Sequence, residues 1–67
     1  MKNSIRNVRK ELRLSQEELA NKCGVTRQTI NAIENNKYDP TLTLAFKLSM
    51  NLNTKIEKLF HFEEEKK

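Results

Sequence analysis

The segment at residues 16–35 constrains the fold of this chain more than any other, because two short apolar patterns meet there at Gly24. Gly24 is the only glycine in the sequence, and glycine readily adopts the positive φ that a sharp exit from a helix requires. Apolar or small side chains recur at helical spacing on both sides of it: Leu19, Ala20, Cys23, Val25, Ile30 and Ile33. This spacing predicts two short helices that cross at a tight turn.

The second of these helices carries polar side chains on the side that its apolar positions leave free. Any one of these polar residues alone is typical of a solvated helix face. A recognition helix, however, packs one face against the domain and turns polar N-terminal residues toward the major groove, and this helix has both features. The pattern therefore predicts a DNA-binding helix-turn-helix at residues 16–35. The candidate base-reading residues are Arg27, Gln28 and Asn31.

Candidate phosphate contacts surround this helix. Gln16 opens the preceding helix, where its side chain and the free N–H groups of the first turn suit an anion. A polar loop with one cation and two further donors follows the recognition helix. The full set of predicted backbone contacts is Gln16, Thr26, Thr29, Asn36, Lys37 and Tyr38.

Length and composition limit what else the chain can be. A chain of 67 residues forms one small domain with little room for a core. One cysteine cannot form an intramolecular disulfide, and one cysteine with one histidine is too few for a structural zinc site, so we expect no metal and no cofactor. Cys23 lies on an apolar stripe and His61 is distant in sequence. Without a nucleophile–base pair or a metal cluster, we do not expect an enzyme.

The positive charge lies in the half of the chain that contains the helix-turn-helix pattern. The formal net charge is +4: residues 1–38 carry eight Lys or Arg against four acids, and the remainder carries five of each sign. This placement favours phosphate binding. No apolar run approaches the roughly 20 residues of a membrane span, and the N-terminus lacks a signal-peptide pattern, so we expect a cytoplasmic protein.

Helix start and stop signals predict an all-α bundle of five short helices, at about residues 4–12, 16–23, 27–35, 42–51 and 55–59. Ser15 with Glu18 and Thr54 with Glu57 match capping boxes, and Thr26 and Thr41 are expected N-caps. Ile5, Val8 and Leu12 form one predicted apolar face, and Leu42, Ala45, Leu48 and Leu52 form another.

The chain is expected to end in a short β extension. Residues 60–63 alternate between apolar and polar side chains, which predicts a short strand or extended tail. That strand could pair with residues 1–3 or with another copy of the chain.

Apolar residues after Pro40 exceed what one small core needs, which predicts a homodimer interface at about residues 44–62. Its expected members are Leu44, Phe46, Met50, Ile56, Leu59, Phe60 and Phe62. Arg9 and Glu34 are suited to an ion pair between the first and third helices. That pair has a structural role, so neither residue is counted among the base readers.

Residues 5–60 resemble the Cro/phage-repressor-type (Xre-like) helix-turn-helix regulators, most specifically in the segments SQEELA, GVTRQTINAIE and NNKYDPTL. The resemblance implies a lambda-repressor-like DNA-binding domain that binds DNA as a dimer. It places Gln16 at a phosphate contact, Arg27, Gln28 and Asn31 at base-reading positions, and Arg9 with Glu34 in an interhelical ion pair. The segments NKYDP and FHFEEE are also similar to small single-domain repressors whose C-terminus adds a β-ribbon.

One position departs from the family pattern. Arg13 stands where many relatives carry Gly or Asn. Either its backbone is left-handed, at a strain of order 1 kcal/mol, or the turn differs here.

The expected function is sequence-specific binding of double-stranded DNA by a homodimer, on a pseudo-palindromic operator, with repression by occlusion. One alternative is an antitoxin that binds a toxin protein and represses its own operon, so a regulatory protein partner stays open. The other is a protein-interaction module that has lost DNA binding, against which the intact surface of Arg27, Gln28 and Asn31 argues.

Overall fold

The computed structural model describes residues 1–62 and shows five short helices with a two-stranded antiparallel sheet. The predicted bundle with a small β extension is confirmed, and the helix bounds lie within one or two residues of the expected ones. In chain order the elements are β1 (Lys2–Asn3), α1 (Ile5–Glu11), α2 (Gln16–Cys23), α3 (Arg27–Glu34), α4 (Leu42–Asn51), α5 (Ile56–Leu59) and β2 (Phe60–His61).

Side-chain caps start three of these helices. Ser15 and Glu18 form the predicted capping box, because the Ser15 hydroxyl accepts from the Glu18 N–H at 3.0 Å and the Glu18 carboxylate accepts from the Ser15 N–H at 2.9 Å. Thr26 caps α3 and Thr41 caps α4. The second predicted capping box, at Thr54, is wrong: Lys55 precedes α5 without a side-chain cap, because the Thr54 hydroxyl instead donates to the Leu52 carbonyl at 2.9 Å.

The first four helices end in the same hydrogen-bonded turn. In each, one residue adopts a left-handed backbone, with φ between 50° and 70°: Arg13, Gly24, Asn36 and Asn53. After α1, for example, the Arg13 N–H bonds to the Lys10 carbonyl and the Leu14 N–H bonds to the Arg9 carbonyl, both at 3.0 Å. This is the Schellman pattern, which satisfies the last carbonyls of a helix. At Gly24 it sets the sharp turn between α2 and α3.

The core takes one apolar row from each helix, and it corrects several expectations. On α4 the buried row is Leu44, Ala45 and Leu48, continued by Leu52, whereas Leu42 is exposed. Leu44 therefore belongs to the core and not to a dimer interface, and the same holds for the fully buried Leu59. Leu12 is exposed as well, because α1 ends at Glu11 and Leu12 lies in the turn that follows.

The two ends of the described chain pair with each other. β1 and β2 align antiparallel, with Lys2 opposite His61 and Asn3 opposite Phe60. The C-terminal strand was expected to pair either with residues 1–3 or with another copy of the chain. In the structure it pairs with residues 1–3 of the same chain. The predicted strand reached Glu63, which lies outside the described residues. Within residues 1–62, no helix has the length and apolar character that crossing a bilayer demands.

Arg13 yields a stability prediction, because it occupies a backbone conformation that the other three turns assign to Gly or Asn. Arg13→Asn should raise the free energy of unfolding by about 1 kcal/mol, since asparagine tolerates the left-handed region better than other side chains with a Cβ. The reciprocal change Asn53→Arg should lower it by a similar amount. Urea unfolding measures both. An Arg13→Asn variant no more stable than the native chain would contradict the strain.

Candidate DNA-binding surface

Helix α3 presents a polar row to solvent while its opposite side anchors it in the core. Ile30 and Ile33 are almost completely buried, and Arg27, Gln28 and Asn31 are exposed. These three side chains line one shallow groove of about 250 Å³ together with Gln16 from the start of α2. The structure therefore brings the three candidate base readers together beside one candidate phosphate contact.

The remaining candidate phosphate contacts lie around the two ends of α3. Thr26 and Thr29 share the N-terminal cap, with their hydroxyls 3.1 Å apart, so each already has a partner within the protein. Asn36, Lys37 and Tyr38 follow the C-terminal end and are exposed. Tyr38 also lines a second groove, whose members include Lys47 of α4. No sequence pattern indicated Lys47, because only the fold brings α4 beside this loop.

A buried carboxylate fixes the position of α3. The Glu34 side chain is fully buried, and Arg9 of α1 binds it through two N–H groups, Nε to Oε2 at 2.7 Å and Nη2 to Oε1 at 3.2 Å. Gln16 donates to the same carboxylate at 3.0 Å, and Arg6 does so at 3.4 Å. Because α1, α2 and α3 meet at this group, we call Arg6, Arg9, Gln16 and Glu34 the Glu34 cluster.

The Glu34 cluster also orients Gln16. A carboxylate only accepts hydrogen bonds, so the contact turns the amide nitrogen of Gln16 toward Glu34. One of the two N–H bonds of that nitrogen is engaged, and the second remains to bind an anion. In the first turn of α2 the Glu18 N–H is bonded to the Ser15 hydroxyl, which leaves the N–H groups of Gln16 and Glu17 for an anion.

Opposing effects set the pKa of Glu34. Burial alone would raise it, but hydrogen bonds from Arg9 and Gln16, the positive charge of Arg9 and the contact from Arg6 outweigh burial, so the pKa of Glu34 lies below its ordinary value. The carboxylate therefore stays charged at neutral pH. Within residues 1–62, no buried side-chain nitrogen or oxygen lacks a hydrogen-bond partner.

Cys23 and His61 occupy structural positions. Cys23 is buried at the end of α2, and burial raises the pKa of its thiol. His61 lies on β2, where its Nε2 atom is 2.7 Å from the Ser4 hydroxyl. Across the part of the chain that the structure describes, no group of three or more His, Cys, Asp or Glu residues is arranged to hold a metal ion.

A helix-turn-helix family model (HTH_3) matches residues 5–59, which is most of the chain. The chain belongs to this helix-turn-helix family. A regulator of the helix-turn-helix type from Methanocaldococcus jannaschii is 51% identical over 65 residues, covering 97% of this chain and 98% of the relative. The regulator YgzD of Bacillus subtilis is 45% identical, with the same coverage of both chains.

Solved structures share the fold of this helix-turn-helix protein. The restriction-modification controller protein C.AhdI from Aeromonas hydrophila superimposes with a TM-score of 0.77 at 30% identity, covering 84% of this chain and 85% of that one. The N-terminal DNA-binding domain of SinR from Bacillus subtilis gives 0.77 at 32% identity, with 91% and 90% covered. The protein is therefore a DNA-binding transcriptional regulator of the helix-turn-helix family and not an enzyme, as the sequence predicted.

The structure also reveals two contact residues near this surface that the sequence analysis omitted. Arg6 lies one turn before Arg9 on α1, and Asn35 directly follows α3. The Arg6 Nη2 atom donates to the Asn35 Oδ1 atom at 2.9 Å. Because Asn35 follows Asn31 by four residues, the two side chains are neighbours on the helix surface, and this spacing could have predicted their contact.

The lowered pKa of Glu34 predicts a specific acid sensitivity. A carboxylate with a lowered folded-state pKa contributes stability that is present above its unfolded pKa, about 4.3, and is lost as the pH falls through its folded pKa. Glu34→Gln leaves the Arg9 cation buried without a counter-charge. It should cost about 3 kcal/mol at pH 7, at the low end for a broken buried ion pair because the new amide oxygen still accepts from Arg9.

Urea unfolding between pH 7 and pH 2.5 measures this effect. The difference between the native chain and Glu34→Gln should be largest at pH 7 and shrink below pH 4. Glu11→Gln, which removes an exposed carboxylate of α1, is the matched control and should stay close to the native chain throughout. Equal losses from both substitutions at pH 7 would contradict a special role for the Glu34 cluster.

Proposed function

We propose that the protein is a homodimeric repressor that reads a pseudo-palindromic operator with α3 and blocks transcription by occupying it. The observation that carries this proposal is the exposed row of Arg27, Gln28 and Asn31 on a helix whose other side is anchored in the core. Occlusion requires only tight and selective binding, for which this surface and a dimer interface suffice.

Each base-reading side chain has a partner of matching chemistry. Gln28 can bind adenine through both atoms of its amide, and Arg27 can bind guanine or a phosphate. Asn31, one turn further along α3, reads the neighbouring step. Phosphate contacts from the ends of α2 and α3 fix the register of the helix on the duplex: Gln16, Thr26, Thr29, Asn36, Lys37 and Tyr38.

An exposed apolar row on α4 supports the homodimer. Leu42, Phe46 and Met50 recur every four residues and are 70%, 53% and 79% exposed, and Phe62 is also exposed. A groove of about 290 Å³ that includes Leu42, Ile56 and the half-buried Phe60 adjoins this row. Monomeric proteins rarely expose contiguous apolar patches of this kind. We therefore place the interface within residues 42–62. Compared with the members expected from the sequence, it gains the exposed Leu42 and loses Leu44 and Leu59, which are buried in the core.

Two copies joined there would place two α3 helices on one face of the duplex. Half-sites would then lie about 34 Å apart, one helical turn, and the operator would share the two-fold symmetry of the dimer. The same apolar row is where a toxin or another regulatory protein would bind if the antitoxin alternative held. A stable complex with a second protein of different mass would then form in place of the homodimer.

Gln28→Ala tests base reading by α3. On a duplex selected by the native protein it should weaken binding by about 1–3 kcal/mol, because one bidentate contact is lost. Binding to random DNA should hardly change. Lys37→Ala is the contrasting variant: it should weaken binding to both duplexes and reduce the salt slope by about one unit. Equal losses on both duplexes for Gln28→Ala would remove it from the base readers.

Phe46→Ser combined with Met50→Ser tests the dimer interface. Both side chains are exposed in the monomer, so the double variant should fold normally yet dissociate at concentrations where the native chain is dimeric. Sedimentation equilibrium measures this. Leu12→Ser, at an exposed leucine after α1, is the matched control and should leave the dimer intact. A double variant that remains dimeric would place the interface elsewhere.

A further inference from the structure

A short series of hydrogen bonds connects α1 to the base-reading residue Asn31. Arg6 Nη2 donates to Asn35 Oδ1 at 2.9 Å. The Asn35 amide nitrogen then donates twice, to the backbone carbonyl of Asn31 at 2.9 Å and to the Asn31 Oδ1 atom at 3.2 Å. The Arg6 Nε atom also reaches Glu34 at 3.4 Å, so the series begins at the Glu34 cluster.

Chemistry fixes the direction of every bond in this series. A guanidinium only donates and a backbone carbonyl only accepts. The amide of Asn35 therefore has one possible orientation, with its oxygen toward Arg6 and its nitrogen toward Asn31. Because that nitrogen donates, the atom of Asn31 that faces it is the amide oxygen. The Asn31 amide nitrogen, which carries two N–H donors, then points away from Asn35.

Gln28 provides the contrast. It is exposed on the same surface, and its side-chain amide makes no hydrogen bond to any of residues 1–62. Gln28 can therefore turn both its oxygen and its nitrogen toward a base. The two candidate base-reading amides, Gln28 and Asn31, thus differ in freedom, although their chemistry is the same.

We propose that Asn35, held by Arg6, is a positioning residue that makes Asn31 a donor-only reader of DNA. Bidentate recognition of adenine uses the oxygen and the nitrogen of an amide together, and here the oxygen is turned toward Asn35. The remaining N–H donors suit guanine, which presents two acceptors, and thymine, which presents O4; adenine offers only N7 beside its N6 amino donor, so it is less favourable, and the N4 amino group of cytosine conflicts with them. The inference rests on the proposed reading of DNA by α3 and specifies what one residue selects.

The test is selection of bound duplexes from random DNA, using the native chain, Asn31→Ala, Asn35→Ala and Asn35→Asp, with Gln28→Ala to define the step read by Gln28. The base position that loses its preference in Asn31→Ala defines the step read by Asn31. At that step the native chain should accept guanine or thymine and disfavour cytosine by roughly tenfold. In Asn35→Ala the amide of Asn31 is released, so adenine should become the preferred base there.

Asn35→Asp gives the sharper outcome, because the new carboxylate still accepts from Arg6 but can no longer donate. The Asn31 nitrogen should then turn toward the carboxylate and its oxygen toward the base, so cytosine or adenine should replace guanine and thymine. Preferences at the step read by Gln28 should stay unchanged in every Asn35 variant. Asn7→Ala, at an exposed asparagine of α1, is the matched control and should alter no step.

The possible failures are distinguishable. An adenine preference in the native chain, or an unchanged preference in both Asn35 variants, overturns the positioning role of Asn35. If Asn31→Ala alters no step while Gln28→Ala alters one, reading by α3 stands and this inference falls. If neither alters any step, the proposed function itself fails.

Arg6→Met tests the first member of the series. It should shift the base preference at the step read by Asn31 in the same direction as Asn35→Ala, and an unchanged preference there removes Arg6 from the series.

Discussion

The carboxylate of Glu34 lies inside the domain, where an unpaired charge would cost several kcal/mol. Arg6 and Arg9 of α1 and Gln16 of α2 surround it with donors, and the resulting contacts fix both neighbouring helices against α3. The base-reading row lies on the opposite side of α3 from Ile30 and Ile33, so its direction follows from how α3 is held. The proposed DNA-binding surface therefore depends on the ion pair of Arg9 with Glu34, neither of which is proposed to contact DNA.

The helices are too short to be stable alone, since isolated helices below about 12–15 residues are marginal in water. Packing, caps and the repeated left-handed turn hold them in place. Gly24 forms that turn between α2 and α3 and so sets how the recognition helix leaves the domain. Asn36 forms it after α3, at the start of the loop that carries Lys37 and Tyr38. The same turn thus places two parts of the proposed DNA-binding surface.

Local signals predicted most of the fold. Caps, the single glycine and Pro40 mark where helices begin and end, and these features act over a few residues. The ion pair of Arg9 with Glu34 was also accessible, because both charges fall on predicted helix faces. Periodicity could not decide which apolar row of α4 is buried, since Leu42 and Leu44 each begin a row of similar hydrophobicity. Arg6 was missed because its contacts with Glu34 and Asn35 depend on how α1 packs against α3. The contact of Asn35 with Asn31 is local, and its four-residue spacing was a signal that the prediction left unused.

The symmetry of the preferred DNA tests the account most directly, because both the exposed row of α3 and the apolar row of α4 bear on it. Duplexes selected by the native protein from random DNA should contain two inverted half-sites whose centres lie about 34 Å apart. Selected sequences with a single half-site, or no enrichment over the starting pool, would contradict the account of a dimer that reads DNA with α3.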